Sequence, residues 1–236
     1  MNKKSILIIF LIIIICIFAF GFYYINDYHH ADDTARKYIN GSENVTVTTI
    51  ENGLFIDGPG NDTAMIFYPG AKVEYTSYLP ILSQLSSKGV DCFLIEMPFN
   101  LAFFGKDYAD NVISHHDYKH YYLSGHSLGG VMASEYAHNS DEIDGLILFE
   151  AYPTKKINKP VLSIFGSEDK VLNMEKYRES RPLMGKNLTE ITIIGGNHAQ
   201  VGNYGNQTGD GIANITPQKQ QDLSVEAIVR FIGQLN

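Results

Sequence analysis

Ser127 lies within Gly125-His126-Ser127-Leu128-Gly129, with the apolar run Tyr121-Tyr122-Leu123 directly before it and small and apolar residues at helical spacing directly after it. A strand that turns into a helix at a serine restricts a chain more tightly than its composition does. The serine must accept a strained conformation, and two residues to either side the backbone must pass against other backbone, which only glycine permits. Gly125 and Gly129 occupy those two positions. The five-residue pattern alone is common. The strand before it and the helix after it make it specific for a nucleophile elbow, which raises the serine hydroxyl clear of the edge of a sheet.

The rest of the chain reads as the sheet such an elbow needs. Residues 45–50 alternate as a strand, 54–56 read as its hairpin partner, and the apolar run Ala64-Met65-Ile66-Phe67-Tyr68, stopped by Pro69-Gly70, reads as a buried parallel strand. Helix and strand then alternate. Helices are expected at 75–88, 107–114, after the elbow, at 172–178 and at 217–235, and strands at 90–95, 121–123, 145–149, 161–165 and 190–194. A further short helix is expected near 32–38. In the last helix Leu223, Ala227, Val229 and Phe231 are expected to form the buried face. An antiparallel opening followed by βα units predicts an α/β fold with a mostly parallel sheet of about eight strands and helices on both faces.

A serine nucleophile needs a base, and the base needs an orienting acid; at an elbow of this kind they follow in the order Ser, Asp/Glu, His. The strand at 161–165 runs into Gly166-Ser167-Glu168-Asp169, and the strand at 190–194 into Gly195-Gly196-Asn197-His198. Both loops leave the sheet edge that carries the elbow, where open α/β sheets bind ligands. The expected triad is Ser127, Asp169 and His198. Glu150, after the preceding strand, is the alternative acid, with Glu168 a minor one, and Glu96 is read as structural. His126 should point away from the site, and His115, His116, His120 and His138 should be solvated. An oxyanion needs two rigid N–H donors. These are expected from Leu128 and from the loop after the third strand, with Ala71 favoured and Lys72 second.

Residues 6–25 are apolar or small, with Lys3 and Lys4 before them and Asp27, Asp32 and Asp33 after. About 20 such residues span a bilayer, and the lysines place the N-terminus in the cytoplasm and the remainder outside it. The aromatic stretch Phe20-Gly21-Phe22-Tyr23-Tyr24 lacks the small-x-small site of a cleaved signal, which stays the alternative, with secretion as its consequence. The expected organisation is an anchor at 1–26, a linker at 27–44 and one domain at 45–236.

The 18 basic against 26 acidic residues, net −8, argue against nucleic acid as a partner. Cys16 and Cys92 are placed too differently to pair and are read as small buried hydrophobes. No cofactor or metal is expected, since Asn203, Asn206 and Asp210 lack the spacing of a calcium loop. The loop at 199–216, with Tyr204, Gln207 and Asp210, is either a pocket wall or an ordinary surface loop.

Elbow, acid, histidine and oxyanion loop together make residues 45–234 resemble the α/β-hydrolase superfamily. Tyr68-Pro69-Gly70, Met97-Pro98-Phe99-Asn100-Leu101-Ala102 and Gly196-Asn197-His198-Ala199-Gln200 resemble a compact bacterial group of dienelactone-hydrolase-like proteins. Dienelactone hydrolases proper use a cysteine where Ser127 stands, so their substrate does not carry over. The resemblance implies a serine hydrolase, usually an esterase, without naming a substrate; the expected partners are a small-molecule ester and, through the N-terminal helix, the membrane, with no protein partner required. Residues 151–160 are too few for a cap domain, which predicts an open cleft and short-chain esters. Acyl transfer and lipid-ester cleavage use the same triad and stay open; a noncatalytic binding protein would not need all three residues.

Overall fold

The strand at the centre of the sheet is apolar on both sides, and the molecule is layered accordingly. The computed structural model describes residues 3–60, 62–185 and 187–235. Eight strands form one sheet: β1 (Thr46–Ile50), β2 (Gly53–Asp57), β3 (Thr63–Tyr68), β4 (Asp91–Ile95), β5 (His120–His126), β6 (Gly145–Phe149), β7 (Val161–Gly166) and β8 (Leu188–Ile193), in the order β1-β2-β4-β3-β5-β6-β7-β8. β1 and β2 pair antiparallel, as do β2 and β4, and every other pairing is parallel. The helices are α1 (Lys3–Asn26), α2 (Asp33–Arg36), α3 (Leu79–Ser86), α4 (Ala109–His115), α5 (Leu128–Asn139), α6 (Met174–Ser180) and α7 (Pro217–Gly233).

Alternate residues of β3 feed two separate cores. Met65 and Phe67 meet Leu79, Leu82 and Leu85 of α3 and Val225, Ile228 and Phe231 of α7 on one face. Ala64, Ile66 and Tyr68 meet Val112 of α4, Ala133 and Tyr136 of α5, and Tyr177 of α6 on the other. The period of two along a strand buried on both faces requires this division.

Three expectations shift. The helix expected at 75–88 is a 3₁₀ turn at Tyr75–Tyr78 followed by α3. β8 begins two residues early and ends at Ile193, leaving Ile194 exposed. In α7 Phe231 is buried, but Leu223 and Ala227 are only half-buried and Val229 is exposed; the buried face runs through Gln220, Gln221, Ser224, Val225, Ile228 and Ile232. Two buried glutamines rotate the helix, because they are hydrogen-bonded to the loops that follow β8.

α1 holds 24 residues with mean hydropathy 3.2 over its most apolar window and no buried residue, which makes it long and apolar enough to cross a membrane. Cys16 is exposed on it, while Cys92 is buried in β4. Residues 27–44 pack onto the domain: Ala31 and Ala35 are buried, Asp32 caps α2, and His29 bridges to Val73.

Candidate active site

β3 and β5 to β8 all run the same way, so the residues that follow them gather along one edge. Ser127 directly follows β5 and caps α5, at φ 52° and ψ −122°. This left-handed, non-glycine conformation is strained. Its N–H donates to Phe149 O at 2.9 Å, tying the turn to β6. A Cβ on Gly129 would collide with the carbonyls of Tyr68 and Pro69, and one on Gly125 with the backbone of Gly129 and Gly130. Both glycines are therefore required by close approach of backbone.

Asp169 follows β7 and His198 follows β8. Their loops pack backbone on backbone: Glu168 N–H donates to Gly196 O at 2.8 Å, and Gly195 N–H donates to Ser167 Oγ at 2.8 Å. Asp169 Oδ2 accepts from His198 Nδ1 at 2.8 Å, and its Oδ1 accepts the N–H groups of Val171 at 2.7 Å and Leu172 at 2.8 Å. Burial disfavours its charge, but the hydrogen bonds from His198 and Glu150 and the Leu172 N–H outweigh burial and hold it down at about 2. His198 is buried, and its Nε2 has no hydrogen-bond partner among the described residues, Ser127 included. An imidazole oriented through Nδ1 by a carboxylate, with Nε2 uncommitted, is the arrangement of a general base.

Glu150 follows β6, also at positive φ (49°), and is fully enclosed. One oxygen of Glu150, one of Asp169 and a ring nitrogen of His198 lie within 4.8 Å of one another. Glu150 Oε1 accepts from Gly166 N–H at 2.8 Å, and Oε2 is buried without a protein donor. Burial, reinforced by the adjacent Asp169, raises its carboxyl well above the usual carboxylate range. Glu96 and Glu168 stand outside this group; Glu96 is exposed and Glu168 accepts from Ser167 Oγ.

His126 does not point away from the site. Its ring centroid lies 4.6 Å from that of His198, and its Nδ1 is 2.8 Å from the Tyr78 hydroxyl. His126 is the last residue of β5, so the strand and not the elbow turn fixes where its side chain goes. Burial, aided by His198, keeps His126 well below the usual histidine range. The Tyr78 hydroxyl also accepts the Gly70 N–H at 3.1 Å, so the loop after β3 is bound to the layer beneath the histidines. His115 and His138 are exposed, while His116 and His120 are half-buried, and His120 begins β5 beside Asp144.

Leu128 opens α5, where the first N–H groups have no partner within the helix. In the loop after β3, Lys72 N–H is committed to Asn100 O at 2.8 Å and Gly70 N–H to the Tyr78 hydroxyl, with Ala71 between them. The loop at 199–216 buttresses more than it covers. Asp210 accepts from Ala199 N–H and Lys170 N–H, joining the two loops of the acid and the histidine, and Asn197 Nδ2 donates to Gly211 O at 2.7 Å. Gln220 exchanges two hydrogen bonds with the Asn197 backbone, at 2.9 and 2.8 Å. Gln207 and Thr208 do line a cavity together with Ala71 and Lys72. Gln220, Tyr78 and His126 carry no sequence signal of these roles, whereas an acid ending the apolar run before Glu150 does.

Similar folds are known. The mouse alpha/beta hydrolase domain-containing protein 10 superposes with a TM-score of 0.60 at 11% identity, covering 81% of this chain and 99% of that one. Est1E from Butyrivibrio proteoclasticus superposes with a TM-score of 0.57 at 15% identity over 81% and 100%. A thermophilic esterase from Thermogutta terrifontis, Est2, superposes with a TM-score of 0.55 at 16% identity over 81% and 92%. These likenesses are of fold. No curated protein matches the chain in sequence. The sequence profile described as the alpha/beta hydrolase family matches residues 64–222, which is most of the chain, and with the sheet order and the elbow already described it follows that the chain belongs to the alpha/beta hydrolase family.

Proposed function

We propose that this protein is a membrane-anchored serine hydrolase that cleaves carboxylic esters through an acyl-enzyme. The observation that carries the reading is the buried 2.8 Å contact between Asp169 and His198, with Nε2 uncommitted on the edge where Ser127 stands strained. Ser127 Oγ attacks the ester carbonyl as His198 Nε2 takes its proton. The N–H groups of Leu128 and Ala71 receive the negative oxygen of the tetrahedral intermediate. His198 then returns the proton to the departing alcohol, and water, activated by the same nitrogen, releases the acid. The esterase from Thermogutta terrifontis shares the fold, so ester cleavage is among the chemistries this scaffold carries.

The connection from β6 to β7 contains no helix, so no cap stands over the cleft. With each buried methylene worth about 0.8 kcal/mol, an uncapped cleft gains little from long acyl chains in water, and short esters are preferred. Lys3 and Lys4, the first residues of α1, favour a cytoplasmic N-terminus and a catalytic domain outside the cytoplasm. Fluorophosphonate labelling tests the chemistry: the wild-type chain should be labelled and Ser127→Ala should not. Labelling that survives Ser127→Ala would overturn the reading. Proteolysis of intact cells, which should reach the domain while the chain stays with salt-washed membranes, tests the topology.

A further inference from the structure

Phe99, Phe103 and Phe104 are 53%, 64% and 54% exposed, although rings of this size are normally buried. They form one patch rather than scattered contacts: Phe99 and Phe104 meet edge to face at 5.7 Å, and Phe103 and Phe104 at 5.6 Å. The loop that carries them leaves β4 at the same sheet edge as the catalytic residues. Its turn at Ala102–Phe104 packs on α5, the helix that starts at the elbow, and its turn at Pro98–Asn100 packs on α1.

Lys72 joins these parts. Its Nζ pairs with Asp27 at 2.9 Å and lies 4.4 Å over the ring of Tyr24, both at the end of α1. Its N–H donates to Asn100 O, and its carbonyl accepts His29 N–H, each at 2.8 Å. The chain leaving the apolar helix is thus pinned to the oxyanion loop, and the aromatic patch is pinned beside it. A cavity of about 340 Å³ lies between the chain leaving the helix (Asp27, Tyr28, His29), the loop at Ala71 and Lys72, and Gln207 and Thr208.

We propose that the Phe99–Phe103–Phe104 patch seats in the bilayer leaflet that α1 enters at its C-terminal end, and that the active site takes amphiphilic esters from that leaflet. The occupant follows from continuity: a helix of mean hydropathy 3.2 emerges against the patch, and tyrosines at its end suit the headgroup level. The inference rests on the membrane-anchored ester hydrolase proposed above and extends it to the substrate. It also reconciles an uncapped cleft with a lipid-like ester. A tail that stays in the bilayer needs no tunnel in the protein, while the polar cavity beside Ala71 receives the head of the molecule.

The chain contains no tryptophan, so Phe103→Trp places a single reporter on the patch. The full chain is reconstituted in vesicles of phosphatidylcholine and phosphatidylglycerol, with and without brominated acyl chains. Blue-shifted emission quenched by the bromines is expected. The emission of a water-exposed indole, unquenched, would overturn the proposal. In a second arm, Phe99, Phe103 and Phe104 are all replaced by serine in the full chain. Hydrolysis of p-nitrophenyl palmitate dissolved in the vesicles should fall about tenfold or more, while p-nitrophenyl butyrate in the water phase is cleaved at the wild-type rate. Equal losses on both esters, or none on the palmitate, would overturn it. Failure of Ser127 to label or to cleave either ester counts against the hydrolase reading instead, and the quenching result, which needs no turnover, still decides whether the patch is seated.

Discussion

Glu150 and Asp169 follow neighbouring strands, are both buried and carry the same functional group, yet their carboxyl groups are shifted in opposite directions. Asp169 accepts from His198 and from two backbone N–H groups and is held at about 2. Glu150 accepts one backbone N–H and is raised well above the usual range, by burial first and by Asp169 next. Two carboxylates this close in a dry interior disfavour each other's ionisation. Burial alone does not decide which carboxyl is lowered: the hydrogen bond from His198 comes first among the partners that hold Asp169 down, while Asp169 itself adds to what raises Glu150.

The strongest break of this comparison removes the ring through which the Asp169 charge would act. His198→Ala should lower kcat on a soluble short ester by about 10⁶-fold, leaving the residual rate due to the oxyanion donors and binding. Asp169→Asn comes next, with an expected loss of about 10⁴-fold in kcat, because the amide can present the wrong partner to Nδ1. Glu150→Gln sharpens the contrast, since a neutral amide keeps a donor for Asp169 and an acceptor for Gly166 N–H. Its kcat should stay within about tenfold of wild type. A larger loss in Glu150→Gln than in Asp169→Asn would move the orienting acid to the end of β6.

The smallest effect is one of stability. Folded Glu150 keeps its proton at pH values where the unfolded chain, above about 4.3, has released it. The folded state then binds more protons, so this group's contribution falls as pH rises toward its folded value. Asp169 has the opposite sign: its contribution is present above about 4 and is lost as pH falls toward 2. The Tm of Glu150→Gln relative to wild type should therefore rise as pH increases above about 5, as thermal unfolding followed by circular dichroism would show. A difference in Tm that stays flat with pH would mean that Glu150 is ionised in the folded protein.

Much of the fold and of the candidate site is legible without coordinates because it is local. The elbow is written in five residues with a strand before and a helix after, and its two glycines face clashes with backbone only a few residues away or in the adjacent loop. The loops after β7 and β8 announce an acid and a histidine by position. α7 shows where such reasoning weakens: its apolar pattern favours Leu223, Ala227 and Val229, while the helix turns Gln220 and Gln221 inward because the loop of His198 offers them partners.

By itself, the sequence determined the order of elements, the strained serine, the apolar N-terminal helix and the edge on which the candidate residues collect. Each depends on periodicity or on the chemistry of near neighbours along the chain. Only the tertiary structure decided that the carboxyl of Glu150 is raised while that of Asp169 is lowered, that His126 lies against His198, that Lys72 N–H is spent on Asn100, and that three exposed phenylalanines stand in one patch whose loop packs on α1. Charge state, donor count and exposure are set through space by residues from different strands and loops, and no spacing along the chain encodes them.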